Sequence, residues 1–330
     1  MTDPDRRFPP PPGQHLRSPV TQRALRVQDQ VLVAARAFLR QEGCIELPAP
    51  VVGPVTDPGA RGAKQLDVSL YGHRYKLMTS AILYKQASLT ATSRLFCVAA
   101  NLRAEPPETA DTARHLVEFN QIDVELAHAT RSDTQELLER LVTHVVKHVT
   151  EACTADLTAL GRDPTNLVSL LHEPFETLTH REAVTRLREL QHTQDLHAEI
   201  SWSGEALLSQ KAAGPFFITH YPRGSRGFYD RQDPDERDLL RNFDLLAPGG
   251  FGELASGGER EHDYTRVVTR MRETGENPAK YGWYLDVLRD GIPPSSGFGL
   301  GLERLTRFIT GLDYLWQTTA YPKVPGQLGA

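Results

Sequence analysis

The order of the strand-forming segments is the strongest constraint on the fold of this chain. Residues 66–78, 95–102 and 118–126 have the apolar and β-branched composition of strands, and one short helical segment, 81–89, lies among them. A doubly wound parallel sheet needs a helical crossover after each strand, and this half of the chain does not supply one each time. The sequence therefore predicts an α+β protein in which helices surround a sheet or are inserted into it.

The rest of the chain supplies most of the predicted helices. Residues 23–40 carry apolar side chains at helical spacing, and Gly43 follows as a stop signal. Residues 215–221 are strand-like, whereas residues 297–301 are so rich in glycine that a turn is expected. Residues 53–64 combine glycine with proline and are predicted to form a mobile loop that could cover a site. Further helical patterns occur in residues 133–160, 181–190, 263–273 and 302–309.

Composition excludes several classes of protein. The chain has 330 residues, of which 39% are hydrophobic and 24% charged, as in soluble globular proteins. A net charge of −5 and the lack of a lysine or arginine run give no support to nucleic-acid binding. The cysteines, Cys44, Cys97 and Cys153, are too far apart for a zinc knuckle, and no apolar stretch reaches the roughly 18 residues of a membrane helix. We expect a cytoplasmic protein with a disordered, proline-rich tail at residues 1–18.

Three separated segments together resemble the signature motifs of class II aminoacyl-tRNA synthetases, in particular the aspartyl and asparaginyl branch. The first is CIELPAPVV at residues 44–52, with Pro50 at the place of the family's dimer-interface proline. The second is NLRAE followed by RHLVEFNQIDVE within residues 96–125, and the third is GFGLGLERL at residues 297–305. The resemblance implies the family's catalytic core over residues 19–330, an antiparallel six-stranded sheet flanked by helices, and a homodimer formed through the first motif.

Each segment alone has a plainer interpretation. Residues 44–52 resemble any kinked edge strand, because their two prolines cannot donate ladder hydrogen bonds. An isolated Arg-x-Glu, such as Arg103 and Glu105, is usually a surface ion pair. Residues 297–301 would be a tight turn before a helix, and residues 252–264 a solvated loop. Their joint occurrence in the family's order favours the synthetase interpretation.

The second motif carries most of the ATP site that the resemblance implies. Arg103 would bind the α-phosphate, because arginine is a permanent planar cation that can follow a phosphoryl oxygen into the transition state. Glu105 would bind the adenine amino group, and His115 would bind the outer phosphates. Phe119 would stack on the adenine ring.

The third motif and the loop at residues 252–264 complete the nucleotide and metal sites in the resemblance. Arg304 would bind the γ-phosphate, and Gly301 lets the backbone come close to the nucleotide. Glu253 and Ser256 match the family's positions that bridge Mg²⁺ to the ATP phosphates, and Asp244 corresponds to a further acidic residue near that metal. Oxygen ligands of this kind suit a hard cation.

The amino acid end departs from the synthetases. Lys85 matches the lysine typical of aspartate recognition, and Arg260 matches the arginine that grips the distal carboxylate. Ser80 lies in the same substrate-binding stretch, in which Ile82 replaces the family's glutamine. This exchange could let the substrate bind in reverse, with the lysine and the arginine holding its α-carboxylate.

Two further departures concern the mouth of the pocket and the N terminus. Ser295 and Ser296 stand where aspartyl-tRNA synthetases have a His-Gly pair, a variation also seen in an archaeal asparagine synthetase that resembles a truncated aspartyl-tRNA synthetase. Residues 1–22 precede the first predicted helix, whereas these synthetases carry an anticodon-binding barrel of about 100 residues there. We therefore expect tRNA not to be a partner.

The combined prediction is an ATP- and Mg²⁺-dependent, AMP-forming ligase. It would adenylate L-aspartate or a close analogue and transfer the acyl group to ammonia or another small nitrogen nucleophile, as an asparagine synthetase does. The alternative is a stand-alone transferase that charges a tRNA or a carrier protein. A third interpretation is a regulator that has kept a nucleotide site. The side chains expected to carry catalysis are Arg103, Glu253 and Arg304.

Overall fold

One large sheet forms the centre of the protein, for which a computed structural model describes residues 8–58 and 63–327. The strands in these ranges are β1 (Ile45–Glu46), β2 (Val52–Gly53), β3 (Asp67–Leu70), β4 (His73–Leu77), β5 (Arg94–Leu102), β6 (Glu118–Ala127), β7 (Glu176–Thr179), β8 (Phe216–Thr219), β9 (Asn242–Ala247), β10 (Gly252–Arg260) and β11 (Ser295–Gly301). The helices are α1 (Pro12–Arg17), α2 (Pro19–Gln41), α3 (Ile82–Ser88), α4 (Arg131–Ala152), α5 (Thr154–Ala159), α6 (Pro164–Ser169), α7 (His180–Glu189), α8 (Trp202–Lys211), α9 (Tyr264–Glu273), α10 (Gly282–Asp290) and α11 (Leu302–Thr310).

The sheet has eight strands in the order β1-β5-β6-β11-β10-β9-β8-β7. The six strands from β5 to β8 in this order are antiparallel neighbours, as predicted. The predicted total of six is wrong, because β1 and β7 add one parallel strand at each edge. The proline-interrupted segment 44–52 contributes only the two residues of β1 to this edge, which fits the missing donors of its prolines.

Two long helices cover one face of the sheet. α2 begins with Pro19 in its first turn and ends before Gly43, whose φ of +78° an L side chain rarely adopts. α4 begins with a reciprocal capping box between Thr130 and Asp133. Both helices bury their apolar stripes in the main hydrophobic core, to which α11 also contributes. The single helical pattern predicted for residues 133–160 corresponds to two helices in the structure, α4 and α5.

Three predicted elements differ from the structure. Residues 66–78 form the hairpin β3–β4, because Tyr71 and Gly72 adopt positive φ angles of 52° and 79° at its tip. The loop predicted at 252–264 contains β10, and the turn predicted at 297–301 belongs to β11. Both strands lie inside the sheet, where their glycines let neighbouring backbones and side chains approach closely.

The predicted disordered tail is wrong for its described part, residues 8–18. These residues include α1, in which His15 is buried and its Nε2 lies 2.8 Å from the carbonyl oxygen of Thr319. Residues 1–7 lie outside the described residues, as do residues 59–62 of the mobile loop predicted at residues 53–64. Among the helices that the structure describes, none combines the length and the apolar character needed to cross a bilayer.

Candidate active site

One cavity of about 1000 Å³ lies over the middle strands of the sheet and brings most of the predicted site residues together. Its walls come from β6, β10, β11, α3 and the loops that follow β5 and β8. The predicted residues that line it are Ser80, Ile82, Lys85, Arg103, Glu105, His115, Phe119, Glu253, Ser256, Arg260, Gly301 and Arg304. Three other predicted residues, Ser295, Ser296 and Asp244, do not line the cavity.

The predicted adenine and α-phosphate residues meet at one part of the wall. Arg103, in the loop after β5, donates from Nε to the carbonyl oxygen of Thr79 at 3.0 Å. Its guanidinium carbon lies 5.0 Å from the centroid of the Phe119 ring on β6. A planar cation on an aromatic face is a favourable arrangement, and an aromatic ring also has a second face on which a flat heterocycle can stack. These contacts fit the binding of a purine nucleotide.

Arg304 joins the start of α11 to β10. Its Nη1 donates to the carbonyl oxygen of Glu253 at 3.2 Å and lies 3.1 Å from the carboxylate oxygen Oε1 of the same residue. The arginine predicted for the γ-phosphate and the acid predicted for the metal are therefore direct neighbours. A magnesium nucleotide places the same two kinds of charge side by side.

Two of the predicted metal ligands, Asp244 and Ser256, already accept hydrogen bonds from an arginine side chain. Arg226 donates to both carboxylate oxygens of Asp244, at 3.2 and 2.6 Å, and to the Ser256 hydroxyl at 3.0 Å. Burial opposes its charge, but Asp244 and Glu199 raise the pKa of Arg226 well above its ordinary value. Asp244, which is 0% exposed, is thus neutralised by protein.

Glu253 offers a carboxylate to a hard cation held partly by nucleotide phosphates, and the Ser256 hydroxyl, which accepts one hydrogen bond from Arg226, keeps a second lone pair for it. Asp244 is a poorer candidate, because a metal there would have to displace the guanidinium. Across residues 8–58 and 63–327, no group of three or more His, Cys, Asp and Glu side chains has the arrangement of a metal site. Any Mg²⁺ bound here would therefore depend on ligands from the nucleotide as well.

Lys85 lies at the amino acid end of the cavity and is only 4% exposed. Its ammonium group donates to Asp123 Oδ1 at 2.9 Å and to the carbonyl oxygens of Val124 and Phe298 at 3.3 and 3.0 Å. An ammonium has three N–H groups, and here each has a protein acceptor. The second carboxylate oxygen of Asp123 is buried and has no partner within the described ranges.

Arg260 is held by two buried acids. Its Nε and Nη2 donate to the two oxygens of Glu125 at 3.1 and 3.3 Å, and its Nη1 donates to Asp230 at 3.4 Å. Glu125 also lies 3.5 Å from the Lys85 ammonium. Burial raises the pKa of Asp230 to about 6, although Arg260 opposes this shift. The amino acid subsite therefore has no surplus of positive charge. Its two cations, Lys85 and Arg260, face three acids, Asp123, Glu125 and Asp230.

Ser295 and Ser296 have different surroundings because successive side chains of a strand point to opposite faces. Ser295 donates to Glu125 at 2.9 Å and so belongs to the support of the arginine subsite. Ser296 is 0% exposed, and its hydroxyl lies 2.7 Å from that of Thr134 in α4 on the helical face. The prediction that Ser296 binds substrate is therefore wrong.

Sequence reasoning missed the acids and arginines that hold the predicted residues in place. Asp123 and Glu125 alternate on β6, inside the second motif, so strand periodicity is a usable signal for them. Arg226 and Asp230 lie between β8 and β9, in a stretch of short turns and isolated β-bridges, where no periodicity indicates orientation. Arg114, which is 4% exposed, lines the cavity beside His115.

This chain is similar to tRNA synthetases along most of its length. The family model for tRNA synthetases class II (D, K and N) matches residues 14–325. The asparagine–tRNA ligase of Symbiobacterium thermophilum is 33% identical over 312 residues, covering 92% of this chain and 70% of the relative. That of Thermococcus gammatolerans is 31% identical over 318 residues, covering 95% and 72%. The crystal structure of asparaginyl-tRNA synthetase from Pyrococcus horikoshii complexed with asparaginyl-adenylate is similar with a TM-score of 0.91 at 28% identity, covering 100% of this chain and 74% of that one.

Proposed function

This chain belongs to the class II tRNA synthetases of the aspartate, lysine and asparagine group, and from that premise we propose that it activates aspartate or asparagine with ATP and transfers the acyl group to a tRNA. The observation that carries the proposal is the single cavity in which Arg103, Phe119 and Arg304 share a wall with the Lys85 and Arg260 subsite. A nucleotide and a small amino acid can meet there. The relatives named above are tRNA ligases, so the expectation that tRNA is not a partner has no support from them.

The first step joins the amino acid to AMP. A carboxylate oxygen of the amino acid attacks the α-phosphorus of ATP, a phosphorus–oxygen bond forms, and the bond to pyrophosphate breaks. Arg103 stabilises the charge on the α-phosphate, and the walls of the cavity hold the two reactants in line. Glu253 and Ser256 would hold Mg²⁺, which neutralises phosphate charge when bound.

In the second step a hydroxyl oxygen of the acceptor attacks the acyl carbon. A carbon–oxygen ester bond forms, the bond between the acyl carbon and the phosphate oxygen breaks, and AMP leaves with its electron pair while the hydroxyl proton passes to water. The chain's contribution is to keep the acyl group fixed while the acceptor enters. The buried ion pairs of Lys85 and Arg260 provide a rigid floor for this purpose.

The amino acid subsite favours a ligand that brings its own N–H donors. The unpartnered oxygen of Asp123 can accept from an ammonium or amide group, because Lys85 is already saturated by protein acceptors. The α-ammonium of either amino acid and the side-chain amide of asparagine meet this requirement. The earlier prediction of a cationic slot that selects a free carboxylate has weaker support, since acids balance both cations.

Amide formation with a small amine is a second candidate, favoured by the charge of another part of the cavity wall. Arg223 and Arg270 are both paired with Glu273 there. The same wall carries Asp238 and Glu276 as further acids. A negative wall attracts an amine more readily than the phosphates of an RNA end.

The decisive experiment separates activation from transfer. Exchange of labelled pyrophosphate into ATP should require aspartate or asparagine, and Arg103→Ala should reduce it about 100-fold or more. Incubation with total tRNA should then give acid-precipitable aminoacyl-RNA. An alternative result is that the protein catalyses pyrophosphate exchange, forms no aminoacyl-RNA and yields an amide when ammonium is added. That result would favour amide formation, the second candidate. If neither amino acid supports exchange, the proposal is wrong and the regulator interpretation takes its place.

A further inference from the structure

The loop between β5 and β6, residues 103–117, carries part of the predicted adenine site. Glu105 lies in this loop, and Phe119 follows it at the start of β6. Most of the loop lies outside the ladder that joins the two strands. Ala113 adopts a φ of +58°, a left-handed conformation that is strained for an L side chain and persists only where the surroundings fix it. The loop therefore needs support from other parts of the chain.

The C-terminal segment at residues 314–327, which we call the strap, gives the loop this support. The Leu315 amide donates to the Ala113 carbonyl oxygen at 2.9 Å, and the Val117 amide donates to the Lys323 carbonyl oxygen at 2.7 Å. Leu315 also lines the cavity. The strap therefore holds the second half of the loop at two points and reaches the cavity itself.

An apolar cluster joins the strap to the loop and to the adenine side of the cavity. Its buried members are Leu315 and Val324 of the strap and Ala110 and Leu116 of the loop, and Phe119 packs against them. Removal of this apolar surface from water fixes the strap against the loop. Because Phe119 shares the cluster, the position of the strap also sets the position of the ring predicted to stack on the adenine.

His15 in α1 fixes the strap from its other side. The side chain is buried, and its Nε2 lies 2.8 Å from the carbonyl oxygen of Thr319. A carbonyl oxygen can only accept, so Nε2 carries a proton and donates it. Nδ1 lies 3.2 Å from the Thr21 hydroxyl, and the imidazole meets the Trp316 ring edge-on with centroids 5.6 Å apart. One side chain of the N-terminal helix therefore contacts the strap at two places.

We propose that His15 is a positioning residue for the nucleotide. It holds the strap, and the strap holds Glu105 and Phe119 in the arrangement that binds ATP. The inference rests on the proposed function, from which it takes the nucleotide, and it adds α1 to the parts of the chain that set nucleotide affinity. An ordered loop loses little conformational entropy when a ligand binds. Without the His15 contact the binding arrangement is populated for a smaller fraction of the time, and the apparent affinity falls by that fraction.

Two substitutions of His15 test this inference. His15→Phe keeps a ring beside Trp316 and removes the donor, whereas the side-chain amide of His15→Gln can replace the Nε2–H group. We expect His15→Phe to raise the KM for ATP in pyrophosphate exchange about fivefold, the factor for the loss of one hydrogen bond, and to leave the KM for the amino acid unchanged. Hydrogen exchange measured by mass spectrometry without ATP should be faster in residues 103–117 of this variant. His15→Gln should restore both wild-type values.

His180→Phe is the matched control. His180 is also buried, its Nε2 lies 2.8 Å from the carbonyl oxygen of Ala198, and it does not line the cavity. The control should lose as much stability in urea unfolding as His15→Phe and keep the wild-type KM for ATP. The inference alone is overturned if His15→Phe changes neither the KM for ATP nor the hydrogen exchange of the loop, if His180→Phe raises that KM equally, or if His15→Gln restores nothing. A wild-type protein that catalyses no pyrophosphate exchange with aspartate or asparagine would overturn the proposed function, and the hydrogen exchange of the loop would still test the His15 contact.

Discussion

Ser295 and Ser296 are neighbours in β11, yet their hydroxyls bond to residues on opposite faces of the sheet. The Ser295 hydroxyl supports Glu125, which in turn holds Arg260. The Ser296 hydroxyl fixes the sheet against Thr134 of α4. The same chemical group therefore has a role in the site at one position and a role in packing at the next.

Replacing each serine with alanine should separate these roles. Ser295→Ala removes one hydrogen bond from Glu125 and should raise the amino acid KM about fivefold, which corresponds to about 1 kcal/mol. Ser296→Ala should leave that KM unchanged and lower the free energy of unfolding by about 1 kcal/mol. Steady-state exchange kinetics and urea unfolding of both variants measure the two effects. A raised KM in Ser296→Ala would contradict the assignment of faces.

The buried carboxyl of Asp230 should make stability depend on pH. Its pKa is raised to about 6 mainly by burial, so the folded state binds this proton more tightly than the unfolded state does. Its contribution therefore favours folding at low pH and is lost as the pH rises towards 6. Asp230→Asn removes this titration. Relative to wild type, the variant should gain about 2 kcal/mol of unfolding free energy between pH 4.5 and pH 7.5. A pH-independent difference in urea unfolding would show that the shift is absent.

The sequence was sufficient to predict four cationic residues of the site but not their partners. Arg103, Lys85, Arg260 and Arg304 occur in short motifs and could be found by resemblance. Their partners depend on which loops cross in space. Arg226, for example, follows β8 by seven residues and yet binds Asp244 on β9. No local pattern specifies such a contact.

At the scale of elements, the glycine-rich strands β10 and β11 show why the glycine content of residues 297–301 wrongly predicts a turn. Glycine usually indicates a turn, because it adopts positive φ angles and weakens strands. In β11, however, Gly297 is needed for space: a methyl group at its Cα would overlap the Glu125 carboxylate and the Val124 carbonyl oxygen. The helices α2, α9 and α11 were predicted because apolar periodicity is a local property.

Gly297→Ala should therefore disrupt the strand and the site together. The new methyl group must displace β6 backbone and the carboxylate that holds Arg260, so we expect a loss of about 3 kcal/mol or more and little exchange activity. Gly282→Ala is the control, because a methyl group there meets no atom within 4 Å at the start of α10. The control should be neutral or slightly stabilising in thermal unfolding. Equal stability of the two variants would show that the close contact at Gly297 is tolerated.

At the scale of the whole molecule, exposed apolar side chains occur on β1, on α2, which contacts β1, and on the segment that follows β1. Val33 on α2 is 47% exposed, while Ile45 in β1 and Val51 next to β2 are each 53% exposed. Within residues 8–58 and 63–327, β1 pairs only with β5, so it forms an open edge of the sheet as far as the structure describes the chain. An apolar surface beside an open sheet edge is typical of a protein interface. These residues belong to the first motif and its helix, for which the resemblance implied a homodimer.

We therefore predict that a charge at the centre of this surface prevents dimer formation. Ile45→Asp places a carboxylate where the apolar contact would form, so the variant should be monomeric at micromolar concentration while the wild type is a dimer, as measured by analytical ultracentrifugation. Leu190→Asp is the matched control, because Leu190 is also exposed, at 37%, but follows α7 near the opposite edge of the sheet. Circular dichroism should show that both variants keep the wild-type helix content, since the two side chains are largely outside the core. A monomeric wild type would show that the protein forms no dimer. An Ile45→Asp variant that stays dimeric would show that the dimer forms through another surface.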